Sequence, residues 1–496
     1  MDTQDTIYST FNFDNSFARS LDGFFVPCPA APSSAPKFLQ FNHALAKELG
    51  LDPVILNSET GLAIFSGNLT PEGAEPLAQV YAGHQFGGFT PQLGDGRALL
   101  LGEVIDTRGQ RRDIQLKGSG RTPFSRSGDG KAAIGPILRE YLMGEGMHAL
   151  GVPTTRALAA VSTGEIVYRE SPLPGAVLTR VAASHIRIGT FQFFAAREAT
   201  DKVRKLADYT IARHYPETTE AENPYLAFFT SVTEAQAALV AQWMNLGFIH
   251  GVMNTDNMAI SGETIDYGPC AFMDTYSAGT VFSSIDTHSR YAYGNQPLIL
   301  SWNLARFAET LIPLVDPSKD LAIELLTEAV ERVQSLYETR WLAGMRSKIG
   351  LSTQDPGDLE LINDLLSLME EGHADFTLVF RRLSQILRGK SDAVRNLFDR
   401  PDAFDIWIQR WLNRLEYDGI EAETRGQMMD QTNPIYIPRN HKVEEALSAA
   451  VDHENMTLFS DLLGVLNHPF DEGAGMDAYA APGPVLATPY QTFCGT

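Results

Sequence analysis

Apolar and polar positions change rhythm twice along the chain. Residues 1 to about 75 show no sustained period, and the run VPCPAAPSSAP (26–36) reads as an extended connector. YAGHQFGGFTPQLGDGR (81–97) carries five glycines and reads as loop. Two strand-like runs follow, ALLLGEVI (98–105) and RDIQLK (112–117), joined by a turn around DTRGQ. A helix is expected to start near Pro136, which suits a first helical position, and to run through ILREYLMGE. RALAAVSTGEIVYRE and GAVLTRV read as further strands, which makes a small sheet with one helix across it. After about 185 the apolar spacing becomes three and four, in EAQAALVAQWMNLG (234–247) and over 320–347, 358–371 and 440–452.

These rhythms predict an α+β chain in four parts. An N-terminal extension covers 1–80 and a sheet-plus-helix lobe 81–185. A mainly helical lobe covers 186–470. The Gly-, Pro- and Ala-rich tail, 471–496, is expected to pack loosely or to become ordered only on the surface of that lobe. A chain of 496 residues is long enough for such packed lobes. Its net charge of −22, from 39 basic and 61 acidic residues, argues against nucleic acid or an anionic membrane as the main partner. No apolar run approaches the roughly 20 residues of a membrane span, and the start shows no basic-then-apolar leader. The expectation is a cytoplasmic monomer. Three cysteines without a C-x-x-C pair exclude a disulfide scaffold and a cysteine-rich zinc site.

The chemistry gathers around HGVMNTDNMAISGETIDYG (250–268). Kinase-like enzymes place a catalytic Asp two residues after such a His and a metal-binding Asn five further on, then reach an Asp-aromatic-Gly metal site. Here His250, Asn257 and Asp266-Tyr267-Gly268 stand in those places, but the base position is Val252. An amide oxygen at Asn257 and a carboxylate at Asp266 suit a hard divalent cation that takes its other ligands from phosphate and water. Upstream, Ile114 and Leu116 face one side of a strand, so Gln115 and Lys117 share the other. Glu140, 23 residues on, is spaced for a Lys–Glu pair between sheet and helix, the pair that fixes a kinase lysine onto phosphates. Two features depart from kinases. Gln115 would crowd an adenine in the usual position, and the glycine-rich element shrinks to Gly94-Asp95-Gly96-Arg97. GSGRTPFSRSGDG (118–130) adds Arg121, Arg126, Asp129 and Gly130, while Arg180 and Arg187 flank the change from sheet to helix, where forked donors suit polyphosphate.

At this point the chain resembles the selenoprotein O family of pseudokinase-like proteins, whose bacterial members mostly carry Cys in place of selenocysteine near the C-terminus. The resemblance is nearly end to end: YAGHQFGGFTPQLGDGRA, DIQLKGSGRTPFSRSGDGKA, HGVMNTDNM, IDYGPCAFMD, RYAYGNQP, NPIYIPRNH and the terminal FCGT. It implies a protein-kinase-like bilobal fold that binds ATP flipped, with the γ-phosphate inward. The implied reaction is transfer of AMP to Ser, Thr or Tyr hydroxyls of client proteins. Gly94, Gly96, Arg97, Lys117, Asp129, Gly130, Arg180 and Arg187 match the family's nucleotide contacts, with Glu140 supporting Lys117. Asn257 and Asp266 match its ligands for Mg²⁺ or Mn²⁺, and Asp256 its proton acceptor.

The family's selenocysteine position falls at Cys494. With Cys270 two residues after the metal-site glycine, this implies a reversible Cys270–Cys494 disulfide, redox regulation and a link to oxidative stress. Phosphotransfer and non-catalytic nucleotide binding remain open alternatives on the residues alone.

Overall fold

The computed structural model describes residues 11–484, 488 and 490–493. The strands of its main sheet are Phe25–Pro27 (β1), Lys37–Phe41 (β2), Leu77–Gln79 (β3), Ala98–Ile105 (β6), Arg111–Lys117 (β7), Arg156–Tyr168 (β9) and Pro172–Ala182 (β10). All pairings are antiparallel, in the order β1-β3-β6-β7-β10-β9-β2, and the short strand Ala132–Ala133 (β8) adds to β10. Between β3 and β6 a two-stranded hairpin, Gly83–Gln85 (β4) and Gly88–Thr90 (β5), stands apart from the main sheet.

The period of two is realised in side-chain direction. Leu99, Leu101, Ile114 and Leu116 enter one apolar cluster with Phe41, Leu45 and Phe65, whereas Leu100 enters the other. That second face is covered by the helix Ile134–Ala149, whose Leu138 and Leu142 are fully buried.

Residues 11–75, read as irregular, hold regular elements. They supply β1, β2 and four short helices: Ser16–Ser20 (α1), His43–Glu48 (α2), Pro53–Leu56 (α3) and Glu59–Phe65 (α4). β1 and β2 close the two edges of the sheet, so residues 25–79 are part of its architecture and not an appendage. Elements this short show no readable period. Their caps were the available signal: Asn42, Asp52 and Ser58 each accept a backbone N–H in the first turn that follows. The segment 81–97, read as loop, likewise holds the β4–β5 hairpin.

Past the helix Ile134–Ala149 (α5) and β10 the chain is helical. In order come Ile188–Ala195 (α6), Thr200–His214 (α7), Pro224–Leu246 (α8), Gln296–Val315 (α9), Lys319–Lys348 (α10), Asp358–Glu371 (α11) and Phe376–Leu387 (α12). Asp392–Arg395 (α13), Pro401–Glu416 (α14), Ala422–Thr432 (α15), Asn440–His453 (α16) and Thr457–Leu466 (α17) follow. The segment Tyr293–Val315, containing α9, has the length and mean hydropathy (1.3) of a membrane span, although polar residues interrupt its apolar run. Its Leu300, Leu304, Phe307 and Leu311 are fully buried in the protein's own core. Gly247, at φ 71°, ends α8 in the left-handed conformation that glycine tolerates. The chain turns there into Phe248–Ile249 (β11), which pairs with Ala271–Phe272 (β12) and holds the 250–268 loop between them.

Candidate active site

Sheet and helices meet at a cleft of about 820 Å³. β7 delivers Lys117 to it, α5 Glu140, β10 Arg180, and the N-cap of α6 Arg187, while Gln115 of β7 is fully buried and does not line it. The 250–268 loop delivers Asp256, Asn257 and Asp266.

Lys117 Nζ lies 2.5 Å from Glu140 Oε2 and 2.7 Å from Asp266 Oδ1. Arg180 Nη1 donates to the same Asp266 oxygen (2.6 Å) and to Glu140 Oε1 (3.0 Å). Arg187 Nη1 takes Asp266 Oδ2 at 2.8 Å and the Asp256 carbonyl at 2.6 Å, with its guanidinium over the Tyr81 ring. Three cations thus converge on one carboxylate. Burial pushes the Asp266 carboxyl up, but Lys117, Arg180 and Arg187 together hold it well below the usual range. Glu140 follows the same logic more mildly, burial opposing Lys117 and Arg180.

Gln115 is fully buried and fixed, its amide oxygen accepting from Arg180 Nη2 (2.6 Å) and Nε (3.2 Å). It therefore fills its side of the strand. Asp256 lines the cleft and is buried. Its Oδ2 accepts from Gln85 Nε2 (3.1 Å), while Oδ1 is buried without a hydrogen-bond partner among the described residues. Burial raises its carboxyl to about 6, against the pull of Arg187. His250, by contrast, is a buried structural residue: Nε2 pairs with the Ile265 carbonyl at 2.9 Å, and burial lowers its pKa.

Among the described residues no cluster of three or more His, Cys, Asp or Glu could hold a metal, and both Asp266 oxygens are taken by Lys117, Arg180 and Arg187, so a cation would have to displace them. Asn257 Nδ2 donates to the Val252 carbonyl (3.0 Å), which leaves its amide oxygen as the atom for a metal beside the Asp266 carboxylate.

Gly96, Arg97, Lys117, Glu140, Arg180, Arg187, Asp256, Asn257 and Asp266 all line the cleft; Gly94, Asp129 and Gly130 do not. Asp129 is exposed and pairs with the half-buried Arg169 at 2.9 and 3.0 Å. Gly130, at φ 70°, has its α-carbon so close to the Gly120 carbonyl that any side chain would collide. Gly94 is pressed by the Phe124 ring in the same way. For these two glycines the structure gives a packing reason.

Sequence reasoning missed several lining residues. Asp95 is buried, with Oδ2 accepting from the Gln79 N–H (3.0 Å) and its carboxyl raised to about 6 by burial. Arg139 bridges the Cys270 carbonyl (2.6 Å), Glu444 (3.1 Å) and Tyr490 (3.3 Å). Glu444, Leu447, Ser448 and Val451 of α16 form one wall at helical spacing, so the face was readable although its target was not. Residues Tyr490–Phe493 of the tail also line the cleft; Cys494 lies outside the described residues, while Cys270 is buried just before β12.

The profile of the protein adenylyltransferase SelO family matches residues 8–467 of this chain. The chain belongs to that family. It is similar to proteins named protein nucleotidyltransferase YdiU from Cereibacter sphaeroides strain KD131, at 60% identity over 98% of this chain and 100% of the relative. Those of Rhizobium johnstonii (58%, covering 98% of each chain) and Rhizobium meliloti (56%, 98% of this chain and 100% of the relative) are likewise similar. Membership makes the chain a nucleotidyltransferase that joins AMP from ATP to protein, with release of diphosphate and general dependence on a divalent metal.

Proposed function

We propose that the protein moves AMP from ATP to Ser, Thr or Tyr hydroxyls of client proteins, on a scaffold like that of protein kinases with the main sheet and α5, up to about residue 185, as the small lobe and 186–470 as the large one. The observation that carries this reading is the convergence of Lys117, Arg180 and Arg187 on Asp266, beside a strand face filled by Gln115. Three cations at the inner end of the cleft suit the two phosphates that leave as diphosphate. Gln115 occupies the face over which a kinase seats adenine, which favours the base outward and the α-phosphate toward Asp256.

In this reading the client oxygen attacks the α-phosphorus, the bond to the β-phosphate breaks, and the hydroxyl proton passes to Asp256. A carboxyl raised to about 6 is a better base than an exposed one, and Gln85, which also lines the cleft, fixes it through Oδ2. Lys117, Arg180 and Arg187 bind the departing diphosphate and release Asp266 as they do so. Mg²⁺ or Mn²⁺, held by Asp266 and the Asn257 amide oxygen, supplies positive charge beside the phosphates.

ATP labelled at the α-position is expected to label client protein, and ATP labelled at γ to leave it blank. The reverse result makes the protein a phosphotransferase, and no label from either makes it a nucleotide-binding regulator. Asp256→Ala should lower α-label transfer by about 10²-fold or more while ATP affinity stays within about twofold.

Redox control through Cys270 and Cys494 belongs to the same proposal. Its support is that the described end of the tail reaches the cleft, the Thr492 hydroxyl donating to the Pro269 carbonyl (2.7 Å) beside Cys270. Cys494→Ser should abolish any redox response of transfer, and an unchanged response rules the switch out.

A further inference from the structure

The rim of the cleft is apolar where its interior is charged. Phe86, Ile285 and Phe493 line the opening with relative exposures of 39%, 47% and 70%, and Phe89 (41%) stands on the same β4–β5 hairpin as Phe86. Single exposed apolar side chains are ordinary; a group of them around one opening marks a contact surface.

Phe86 is displayed by design of the backbone. At φ 51° it takes the tip of the hairpin, and its N–H donates to Asn254 Oδ1 and to the Tyr291 hydroxyl, each at 3.1 Å. The ring is therefore held out from a backbone clipped to the loop that carries Asp256. Ile285 follows a stretch, Phe282–Ser284, that already holds an extended polypeptide. The Thr492 N–H donates to the Phe282 carbonyl (2.8 Å) and the Ser284 N–H to the Thr492 carbonyl (3.0 Å), a parallel bridge between Ser283 and Thr492. The Thr492 side chain points its hydroxyl at the Pro269 carbonyl, three residues past Asp266. This wall thus takes a hydroxyl-bearing residue in extended form through main-chain hydrogen bonds, which do not depend on sequence.

We propose that Phe86, Phe89, Ile285 and the Phe282–Ser284 backbone form the docking surface for the acceptor protein, which binds as an extended segment with an aromatic or branched apolar residue beside its acceptor hydroxyl. The proposal rests on the AMP-transfer reading for what happens after docking, not for docking itself. Its occupant is argued from the extended segment of this chain seated there in cis, and from the family's action on protein. Backbone pairing supplies tolerance of many clients, and the apolar rim selects among them. Because Thr492 holds the pairing edge, an acceptor segment displaces the tail to bind.

The test uses full-length protein and dephosphorylated β-casein, an unfolded, hydroxyl-rich polypeptide. Binding is followed by the anisotropy of fluorescein-labelled casein, which needs no chemistry, and transfer by α-labelled ATP. Ile285→Asp and Phe86→Asp are each expected to raise the casein Kd and KM by about tenfold, since a charge replaces an apolar contact. ATP affinity measured in the same variants reports that the cleft is intact. Thr492→Pro, which removes the N–H given to Phe282, is expected to lower the casein Kd. Casein binding unchanged in both rim variants overturns the docking surface, and binding unchanged in Thr492→Pro overturns the shared edge. A wild-type protein that binds casein through the rim yet transfers no α-label supports the surface and overturns the AMP-transfer reading instead.

Discussion

Lys348 ends α10 with its ammonium buried over two rings, 4.4 Å from the centre of Phe380 and 5.5 Å from that of Phe376. It has no hydrogen-bond or ion-pair partner among the described residues, and burial lowers its pKa to about 7. The unfolded chain holds that proton up to about pH 10.4. Between about 7 and 10.4 the unfolded state therefore binds more protons, and stability rises with pH across that window. Below about 7 both states are charged and the full burial penalty remains. Lys348→Met should raise stability most at and below neutral pH, on the order of 2 kcal/mol, and progressively less toward pH 10. Denaturant melts at pH 6.5 and 9.5 check this; an equal gain at both values rejects it. Nothing in the sequence marks Lys348, because its fate depends on α12 packing across the end of α10. Gln115 and Lys117 were legible, since strand alternation alone fixes the face they share. Asp129 was not, for a loop has no period to aim a side chain and Arg169, far along the chain, decides its direction.

The elements around Asp256 fit with little tolerance. The β4–β5 hairpin is clipped to the loop through the His84 N–H on Thr255 Oγ1 (2.7 Å), Gln85 on Asp256 and the Phe86 N–H on Asn254. A methyl group on Gly83 would stand 2.6 Å from Asp256 Oδ1 and 3.0 Å from its Cβ. Gly83→Ala must therefore turn the Asp256 carboxylate aside, since the hairpin backbone on which the methyl sits is tied to the loop by the His84 and Phe86 N–H groups. The expected result is a loss of AMP transfer of about tenfold or more with ATP affinity little changed, because the phosphate-binding cations are on other elements. Overpacking should cost about 1 kcal/mol of stability. Wild-type transfer in Gly83→Ala removes either the contact or the role of Asp256, and Asp256→Ala tells which. The hairpin escaped the sequence reading because two three-residue strands rich in glycine give neither alternation nor a β-branched run. The long elements were legible for the opposite reason: α10, α11 and α16 repeat their apolar spacing over several turns.

Across the whole molecule, the ion-pair cluster is also the seam between the sheet and the helices. Lys117, Glu140 and Arg180 come from the sheet side, Arg187 and Asp266 from the helical side, and two of the five ion pairs among them, Lys117–Asp266 and Arg180–Asp266, cross that boundary. Without nucleotide, Asp266 is the anion that lets three buried cations coexist. Phosphate then competes with Asp266 for the same donors, so binding strength is set partly by what the protein gives up. Asp266→Ala leaves Lys117 and Arg180 sharing Glu140, and Arg187 with only the more distant Asp95 and Asp256; an uncompensated buried charge costs about 3–5 kcal/mol. The variant should melt several degrees below wild type. Tripolyphosphate, added without metal, should recover more stability in the variant than it adds to wild type, because the anion takes the place the carboxylate left. Melting curves with and without tripolyphosphate measure both effects in one series. If the variant melts with wild type and gains no more from the anion, Asp266 is not the counter-charge of the cluster, and the sheet and helices are held together there by packing alone.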